Sequence, residues 1–584
     1  MLQLGKTVRK NSLTRSRGSA FSGEERAFKV LQRSIQITAE YSFACSPGNT
    51  ARNFDYEAFI ANVRANLPAV RSIENDRRFF LANGGSFSFE SFYEIDRNLL
   101  ESSTAECSSP MAALESHLAM RRIAERSVAE NHPDGGIRLL QGNHDGQGHC
   151  YGQHESYEVD VAQGFLLLLW RIGLLVLLPY LVTYRFVAGI WMLMILMLSR
   201  LEHWRVSWKP QRLKSQETEH ENPILVINSR PIPAKWILRC ARGLRWMHAP
   251  LVLLLRYNIQ LFALRHYRRL LTPFFASRCI IDGSGFVDSQ GRYGISLRGS
   301  QLNEIVGFGA YGGSKPIFCC DRWLKGLCLG PPLHLTGYWK LFRKRQRIDI
   351  SVGDSGVCPL SLYLRLGATS LVLDMADFQT KLSKPIPSLK DITAACNRFA
   401  MDWMLLAKEP GRQRRPWSAT DLQKFYLLET RRFLEASPGK VSNEAWKILE
   451  IWQTTLNQLS GSDELGEPSE DLVGRIDWIT KLWLLNQLDQ NANRKTKRKL
   501  DLLYHELSRE GYGTRVLEMQ KEKSFVSENA ILRAMGNPPR DSIAVARSYI
   551  IREFGDLETQ LELDWDRARW RFEGKKHSVR FEVS

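Results

Sequence analysis

The stretch between Phe165 and Ser199 is the most apolar part of this 584-residue chain and restricts its fold more than any other segment. "FLLLLWRIGLLVLLPYLV" (165–182) is interrupted only by Arg171 and Pro179, and "FVAGIWMLMILMLS" (186–199) carries no charge. Neither can face water along its whole circumference. A second cluster, "APLVLLLRYNIQLFAL" (249–264), holds Arg256 near its centre. A central arginine in lipid costs on the order of 3 kcal/mol by insertion scales. The 186–199 run is also short for a bilayer that needs about 20 residues. Buried core helices, or helices lying in a membrane interface, are therefore expected ahead of transmembrane spans.

The rest of the composition is that of a globular protein, 44% hydrophobic and 24% charged, which excludes wholesale disorder or a collagen-like chain. Lysine and arginine outnumber acidic residues 80 to 62, a net charge of +18 that calls for a polyanionic partner: nucleic acid, an acidic membrane or an acidic protein. The cysteines show no CxxC pair, so reduced thiols are expected rather than a disulfide scaffold or a structural zinc site.

Residues 1–33 read as a basic disordered arm without a secretory signal. "SIQITAEYSFA" (34–44) and "FLANGGSFSFE" (80–90) alternate like strands, the second behind an Asn83-Gly84-Gly85 turn. Between them, Tyr56, Phe59, Ile60 and Val63 fall on one helical face. Residues 110–131 predict a further helix and 137–141 a further strand, a sheet covered by helices. "RIDISVGDSG" (347–356) reads as strand then turn, and 359–375 as a helix. Residues 389–460 predict helices, with Ser418 and Asp421 as a capping box. "SGSDELGEPSEDL" (460–472) is an acidic linker, and 560–584 returns to a strand pair.

No GxxxxGK[ST], GxGxxG after a strand, HExxH or GxSxG occurs, which disfavours those chemistries. Acidic residues on or beside predicted strands stand out instead: Glu40, Glu90, Glu101 and Glu106. Sheet-borne carboxylates that converge are what a magnesium–nucleotide site requires, although each one alone reads as a solvated strand residue. The glycine-rich stretch 142–155 holds His144, His149, His154, Asp145 and Glu155, open to a metal site or to a turn of satisfied polar groups.

Several of these segments, in order, resemble the Pup ligase family (proteasome accessory factor A and its relative, the Pup deamidase). "FLANGGSFSFE…LLESSTAECSSP" is similar to FLxNGARLYLD…HPEYATAEC, and "GNHDGQGHCYGQHESY" to NNTDxxGxSYGxHENY. "LLPYLVTYRFVAG" (177–189), "RIDISVGDSGVCPLSLYLRLGATSLVLDM" (347–375), "RIDWITKLWLLN", "DLLYHEL", "NPPRDS" and "LELDWDRARW" follow colinearly, over roughly 34–190 and 283–575. The resemblance implies an α+β fold: a glutamine synthetase-like curved antiparallel sheet with helices on its outer face, plus a small C-terminal domain. It also implies ATP and Mg as cofactors, and a reaction of bacterial pupylation that marks proteins for the proteasome. In that reaction the C-terminal glutamate of Pup is phosphorylated and a substrate lysine then attacks it. Pup, lysine-bearing proteins and a cytoplasmic location are implied with it.

By the same resemblance the catalytic carboxylate falls on Glu90, ATP contacts on Thr104, Arg347 and Trp565, and metal ligands on Glu40, Glu101, Glu155 and His154. The departures are Thr38 for a metal-binding glutamate of GxExE, Ser86 and Ser88 for the Arg and Tyr of NGARLY, and Gly356 for the Asn of GDxN. "CCDRWLKGL" (319–327) stands where RDEPHAD is expected. A short 46–80 stretch favours ligase over deamidase. The alternatives are an impaired ligase, a pseudoenzyme or adaptor that binds Pup or a pathway partner, and a deamidase or depupylase.

The expected organisation is 34–190 as the first part of the ligase-like domain, 191–282 as an insertion, 283–460 as its remainder, 461–472 as linker and 473–584 as the C-terminal domain. The insertion holds 15 Lys/Arg against 5 Asp/Glu, with Trp191, Trp204, Trp208, Trp236 and Trp246. Arginines, tryptophans and apolar runs together suit an anionic membrane at the inner face of the cell, or burial against the body or a partner. Nucleic acid is disfavoured by the apolar content.

Overall fold

The computed structural model describes residues 30–581, apart from 208–233, 461–468 and short loops such as 93–96, 310–313, 329–334, 521–524 and 556–560. The expected arm (residues 1–29 of it) and most of the acidic linker lie outside the described residues.

Ten strands form the main sheet. They are β1 (Ile35–Cys45), β2 (Ala69–Arg71), β3 (Arg78–Leu81), β4 (Ser86–Phe92), β5 (Arg97–Ser103), β6 (Ile137–Leu140), β7 (Gln153–Asp160), β8 (Glu304–Gly307), β9 (Pro316–Cys319) and β10 (Arg345–Ile350). Their order is β8-β9-β10-β7-β1-β5-β4-β3-β2, with β6 on the far end of β1. All pairs are antiparallel except β8–β9, which is parallel.

β1 lies at the centre because its alternation serves two faces. Ile35, Ile37, Ala39 and Tyr41 are buried beneath helices, while Thr38 and Glu40 look to the other side. Helix α1 (Tyr56–Asn66) starts at Asp55, whose side chain accepts from the Ala58 N–H, and buries Tyr56, Phe59, Ile60 and Val63 as their spacing predicts. Helix α2 (Pro110–Asn131) is capped by Ser109 and packs under the sheet. The turn between β3 and β4 needs its glycines. Gly84 sits at φ +86°, and a Cβ there would meet the Ala544 Cβ at 2.6 Å.

The two apolar segments of 165–199 are one continuous helix, α3 (Gly164–Ser207), with Pro179 inside it. Helix α4 (Ala234–Leu261) lies beside it, and α5 (Arg265–Ser277) follows after a sharp bend of 86°. The approach of α4 to α3 is close, since a Cβ on Gly173 would lie 2.3 Å from Asn258 Oδ1. Arg256, the arginine that lipid would penalise, instead pairs with Glu304 on β8 at 2.7 Å. The last residues of the insertion belong to the core: Tyr267, Phe274, Phe275, Ile280 and Ile281 are all buried.

Helix α6 (Pro359–Asp377) is buried along nearly its whole length and packs between α2 and two later helices, α7 (Ala419–Glu435) and α8 (Asn443–Ser460). The expected capping box of Ser418 and Asp421 opens α7. Within the stretch 389–460, expected to be all helix, 408–410 and 416–418 form a small strand pair. The tail forms three strands rather than two, 561–563, 567–572 and 575–580, and Leu563 bridges to Ser72 beside β2.

Candidate active site

Strand register assembles a polar face on the side of the sheet opposite α2. Thr38 on β1 opposes Ser103 on β5, which opposes Ser86 on β4, which opposes Phe80 on β3; on its other side Thr38 opposes His154 on β7. This row is uncharged. Thr38 and Ser103 share a hydrogen bond of 3.1 Å. Burial and the nearby Arg298 push the His154 imidazole down to about 4, so it is neutral at pH 7.

The next row is charged. Glu40 opposes Glu101, Glu101 opposes Ser88, and Ser88 opposes Arg78. Glu101 accepts from the Ser88 hydroxyl at 3.1 Å, with Arg78 at 3.7 Å. Burial pushes the Glu101 carboxyl above its usual range, Arg78 pulls it back, and nearby Glu90 adds to the rise. Glu40 accepts from the Gly152 N–H at 2.9 Å, with His154 Nε2 at 4.0 Å. Glu90, two residues beyond Ser88, is exposed at the rim.

A third group comes from the other side of β7. Asp349 and Arg347 alternate on β10, opposite Ser156 and Glu158. Arg322, from the helix Asp321–Cys328, donates to Asp349 at 3.0 Å. Burial raises the Asp349 carboxyl, but Arg322, Arg347 and the Ser156 hydroxyl outweigh it and hold the group below its usual range. Burial and the neighbouring Arg322 push the Arg347 guanidinium down to about 9, and it donates to Gln36. Arg322 and Arg347 both act on Asp349, and Arg322 is also faced by Asp321 and Glu101. Arg347 is hydrogen-bonded to a neutral amide, which suits it to receiving an anion.

Trp565 closes the sheet edge. Its ring stands edge-on to Phe80 at 4.9 Å and under the Arg547 guanidinium at 4.7 Å. Arg547, fully buried, also donates to Glu106 at 2.8 Å, to the Gly84 carbonyl at 2.9 Å and to the Trp565 carbonyl at 3.1 Å. Through it the C-terminal residues are fastened to the glycine turn.

Not every expected site residue joins this face. Glu155 is on the opposite side of β7, because neighbours in a strand point to opposite faces. There it is fully buried and pairs with Arg278 at 2.6 Å and Arg365 at 3.6 Å. Its expected role as a metal ligand beside Glu40 is therefore corrected: it is a core ion-pair partner. Thr104 is 1% exposed; its hydroxyl accepts from the Ile37 N–H and donates its one proton to the Ala105 carbonyl.

The histidines of 142–155 do not converge either. His144 bonds Asp501, His149 bonds Asp145, and His154 faces the sheet. Among the described residues no three His, Cys, Asp or Glu side chains are placed to hold a metal by themselves.

Gly356 shows why the asparagine of GDxN is absent. A Cβ there would lie 2.3 Å from Asp477 Oδ2, and the Asp477 carboxylate is engaged by the Val357 and Cys358 N–H groups. Sequence reasoning missed Arg78, Arg322, Asp349 and Arg547. Only Arg322 had a pointer, the "CCDRWLKGL" segment standing at the expected place. A recess of about 1150 Å³ lies elsewhere, lined by residues such as Arg121, Lys447 and Arg475, and shares no side chain with this face.

A family model described as Pup-ligase protein matches residues 16–569. The Pup–protein ligase of Acidimicrobium ferrooxidans is 27% identical over 303 residues, 50% of this chain and 61% of that protein. A depupylase of Acidothermus cellulolyticus is 30% identical over 298 residues, 49% of this chain and 55% of that protein. The chain thus spans less than two thirds of the length of these curated relatives. The solved ligase PafA in complex with the ubiquitin-like protein Pup superposes with a TM-score of 0.61 at 18% identity, over 95% of this chain and 89% of that one. PafA with ADP gives 0.56 at 18% identity, over 98% and 94%. At these identities the likeness establishes the fold, the expected α+β sheet with helices packed on it.

Proposed function

This chain belongs to the Pup-ligase protein family, and on that premise we propose that it is an ATP-dependent Pup–protein ligase with a weakened hold on nucleotide. It joins the C-terminal glutamate of Pup to a substrate lysine through an isopeptide bond. The observation that carries this reading is the convergence on one sheet face of Glu90, Glu101 and Glu40 with the Arg322–Asp349–Arg347 group. A triphosphate fits those residues, since Arg322 and Arg347 bring two cations to this face and Arg347 is bonded there to the neutral Gln36. For magnesium the fit is thinner. Glu40 and Glu101 are the oxygen donors, and Thr38 holds the position of a third.

ATP with magnesium would supply the phosphoryl group that makes the glutamate electrophilic. Glu90, exposed and beside Glu101, takes the proton of the attacking amine. Arg322 and Arg347 orient the phosphates, and Trp565, seated on Phe80, covers the edge and excludes water.

A second reading rests on the uncharged row of Thr38, Ser103 and Ser86: a non-catalytic protein that keeps the fold and binds Pup or a pathway partner. Deamidation or removal of Pup is the reading left to the depupylase relative. In each case the protein acts in the cytoplasm, with the insertion holding it at the inner face of the membrane.

Calorimetric titration with MgATP tests the first reading. Micromolar binding that is lost in Glu101→Ala supports a ligase, and Pup conjugation is then assayed. No heat up to millimolar ATP defeats it and leaves the non-catalytic reading.

A further inference from the structure

We propose that the outer face of the α3–α4 pair is a monotopic docking surface for an anionic lipid bilayer, entering one leaflet without crossing it. This deepens the membrane reading of the insertion and is independent of the ligase reading.

Helix α3 has two apolar faces. One is fixed to the body: Trp170 donates to the Leu341 carbonyl at 3.1 Å, Arg171 to Phe342 at 3.0 Å and Arg185 to Leu327 at 2.7 Å. Among the described residues nothing covers the other. Phe165, Leu168, Ile172 and Val176 follow the three-and-four spacing of one helical stripe and are exposed, Val176 at 71%. The stripe continues past the body through Ile190, Leu193 and Met197, Leu193 at 62%. At about 1.5 Å per residue the span from Phe165 to Met197 is about 48 Å long. Helix α4 extends the same patch with Leu253, Tyr257 and Trp246, the last 78% exposed. A soluble surface rarely leaves a contiguous apolar patch above roughly 300–600 Å² uncovered.

Lipid fits this surface better than a protein does, for two reasons. Before Arg265 the insertion carries 11 Lys/Arg against 4 Asp/Glu, which complements phospholipid headgroups, and its five tryptophans suit the headgroup boundary.

Crossing is excluded by the same contacts. By length and hydropathy Gly164–Trp191 would span a bilayer. Its inner face, however, is bonded to the body between Trp170 and Arg185, so only the outer face can meet acyl chains. Beyond the body, the 186–199 run is about 21 Å long, less than the roughly 30 Å of a hydrocarbon core.

The test is flotation of the full chain with neutral phosphatidylcholine vesicles and with vesicles containing phosphatidylglycerol, at about 0.15 M salt. The expected result is at least tenfold more protein floating with the anionic vesicles, reduced by 1 M salt. Val176→Glu with Leu193→Glu lowers flotation at least tenfold. Leu406→Glu, at a remote site 72% exposed, leaves it unchanged. Both altered side chains are exposed, and thermal melting verifies that the variants are folded. Equal flotation of wild type and the double variant overturns the proposal, as does wild type that stays unbound to anionic vesicles. Binding to neutral vesicles that resists both salt and alkaline carbonate also overturns it, in favour of a true span. MgATP calorimetry on the double variant keeps the two readings apart, because its affinity should equal that of wild type.

Discussion

Replacing Gly356 by asparagine would restore the residue type expected in the GDxN segment, and the structure predicts that this harms the protein. The new Cβ would lie 2.3 Å from Asp477 Oδ2 and 2.8 Å from its Cγ. Asp477 is 1% exposed and accepts from the Val357 N–H at 2.7 Å, the Cys358 N–H at 3.1 Å and the Tyr504 hydroxyl at 2.9 Å. The carboxylate must retreat by close to 1 Å to reach ordinary contact, which breaks at least one of these bonds. A lost bond to a buried charge costs about 1.5–3 kcal/mol, and overpacking adds about 1–3. The expected destabilisation is about 4 kcal/mol, a fall in Tm of roughly 3 °C for a chain of this size. Differential scanning fluorimetry reads it directly. In an Asp477→Ala background the clash is gone, so Gly356→Asn should cost less than about 1 kcal/mol there. An unchanged Tm in the single variant, or equal costs in both backgrounds, would refute the steric account.

Three other outcomes are expected. Arg322→Ala should weaken MgATP binding by roughly 10- to 100-fold, the value of a lost charge-assisted contact, and calorimetry that finds no change would remove Arg322 from the anion group. Glu155→Ala leaves the buried Arg278 half-paired and should cost about 3–5 kcal/mol in melting experiments, while the folded fraction binds MgATP as wild type does; lost binding at unchanged Tm would return Glu155 to the ligand set. Acid should unfold the protein early. Burial, with Arg121 and Arg365, pushes His117 down to about 3 from 6.5, and His154 stands at about 4. Between pH 6.5 and those values the unfolded chain takes up protons that the folded chain refuses. Stability is therefore full above about pH 6.5 and is lost as pH falls, by about 2 kcal/mol at pH 5 for His117 alone. Denaturant titrations of His117→Gln at pH 7 and pH 5 should show a smaller difference than wild type.

Local physics made most elements legible. Four apolar residues on one face identified 56–66, the helix expected over 110–131 is found with those bounds, and Asn83-Gly84-Gly85 marked a turn that favours glycine at position 84. Glu40, Glu101 and Glu90 were legible as a sheet-borne set, although which strands place them together is a matter of register. Arg78 and Asp349 were not legible, because strands paired across the sheet bring them in. Glu155 was decidable in principle. Once His154 is assigned to a strand face, the next residue must take the other, and strand alternation excluded offering both to one metal. Thr183, Tyr184 and Arg185 divided α3 into two apolar runs, the first of which already contained Pro179. A long helix accepts one proline where tertiary packing holds both flanks, here through Tyr338 on Leu174 and Arg185 on Leu327.

Arg278 makes the insertion impossible to excise cleanly. Its guanidinium reaches from the end of that segment to Glu155 and Asp282, and neither pair sees solvent. A cut at residue 282 would orphan a carboxylate beneath β7, one residue from His154 on the site face. Residues 265–282 are a keystone of the sheet-bearing body, and only the helices before them are an accessory. Packing therefore places the boundary between body and appendage near Leu264, inside the apparent insertion.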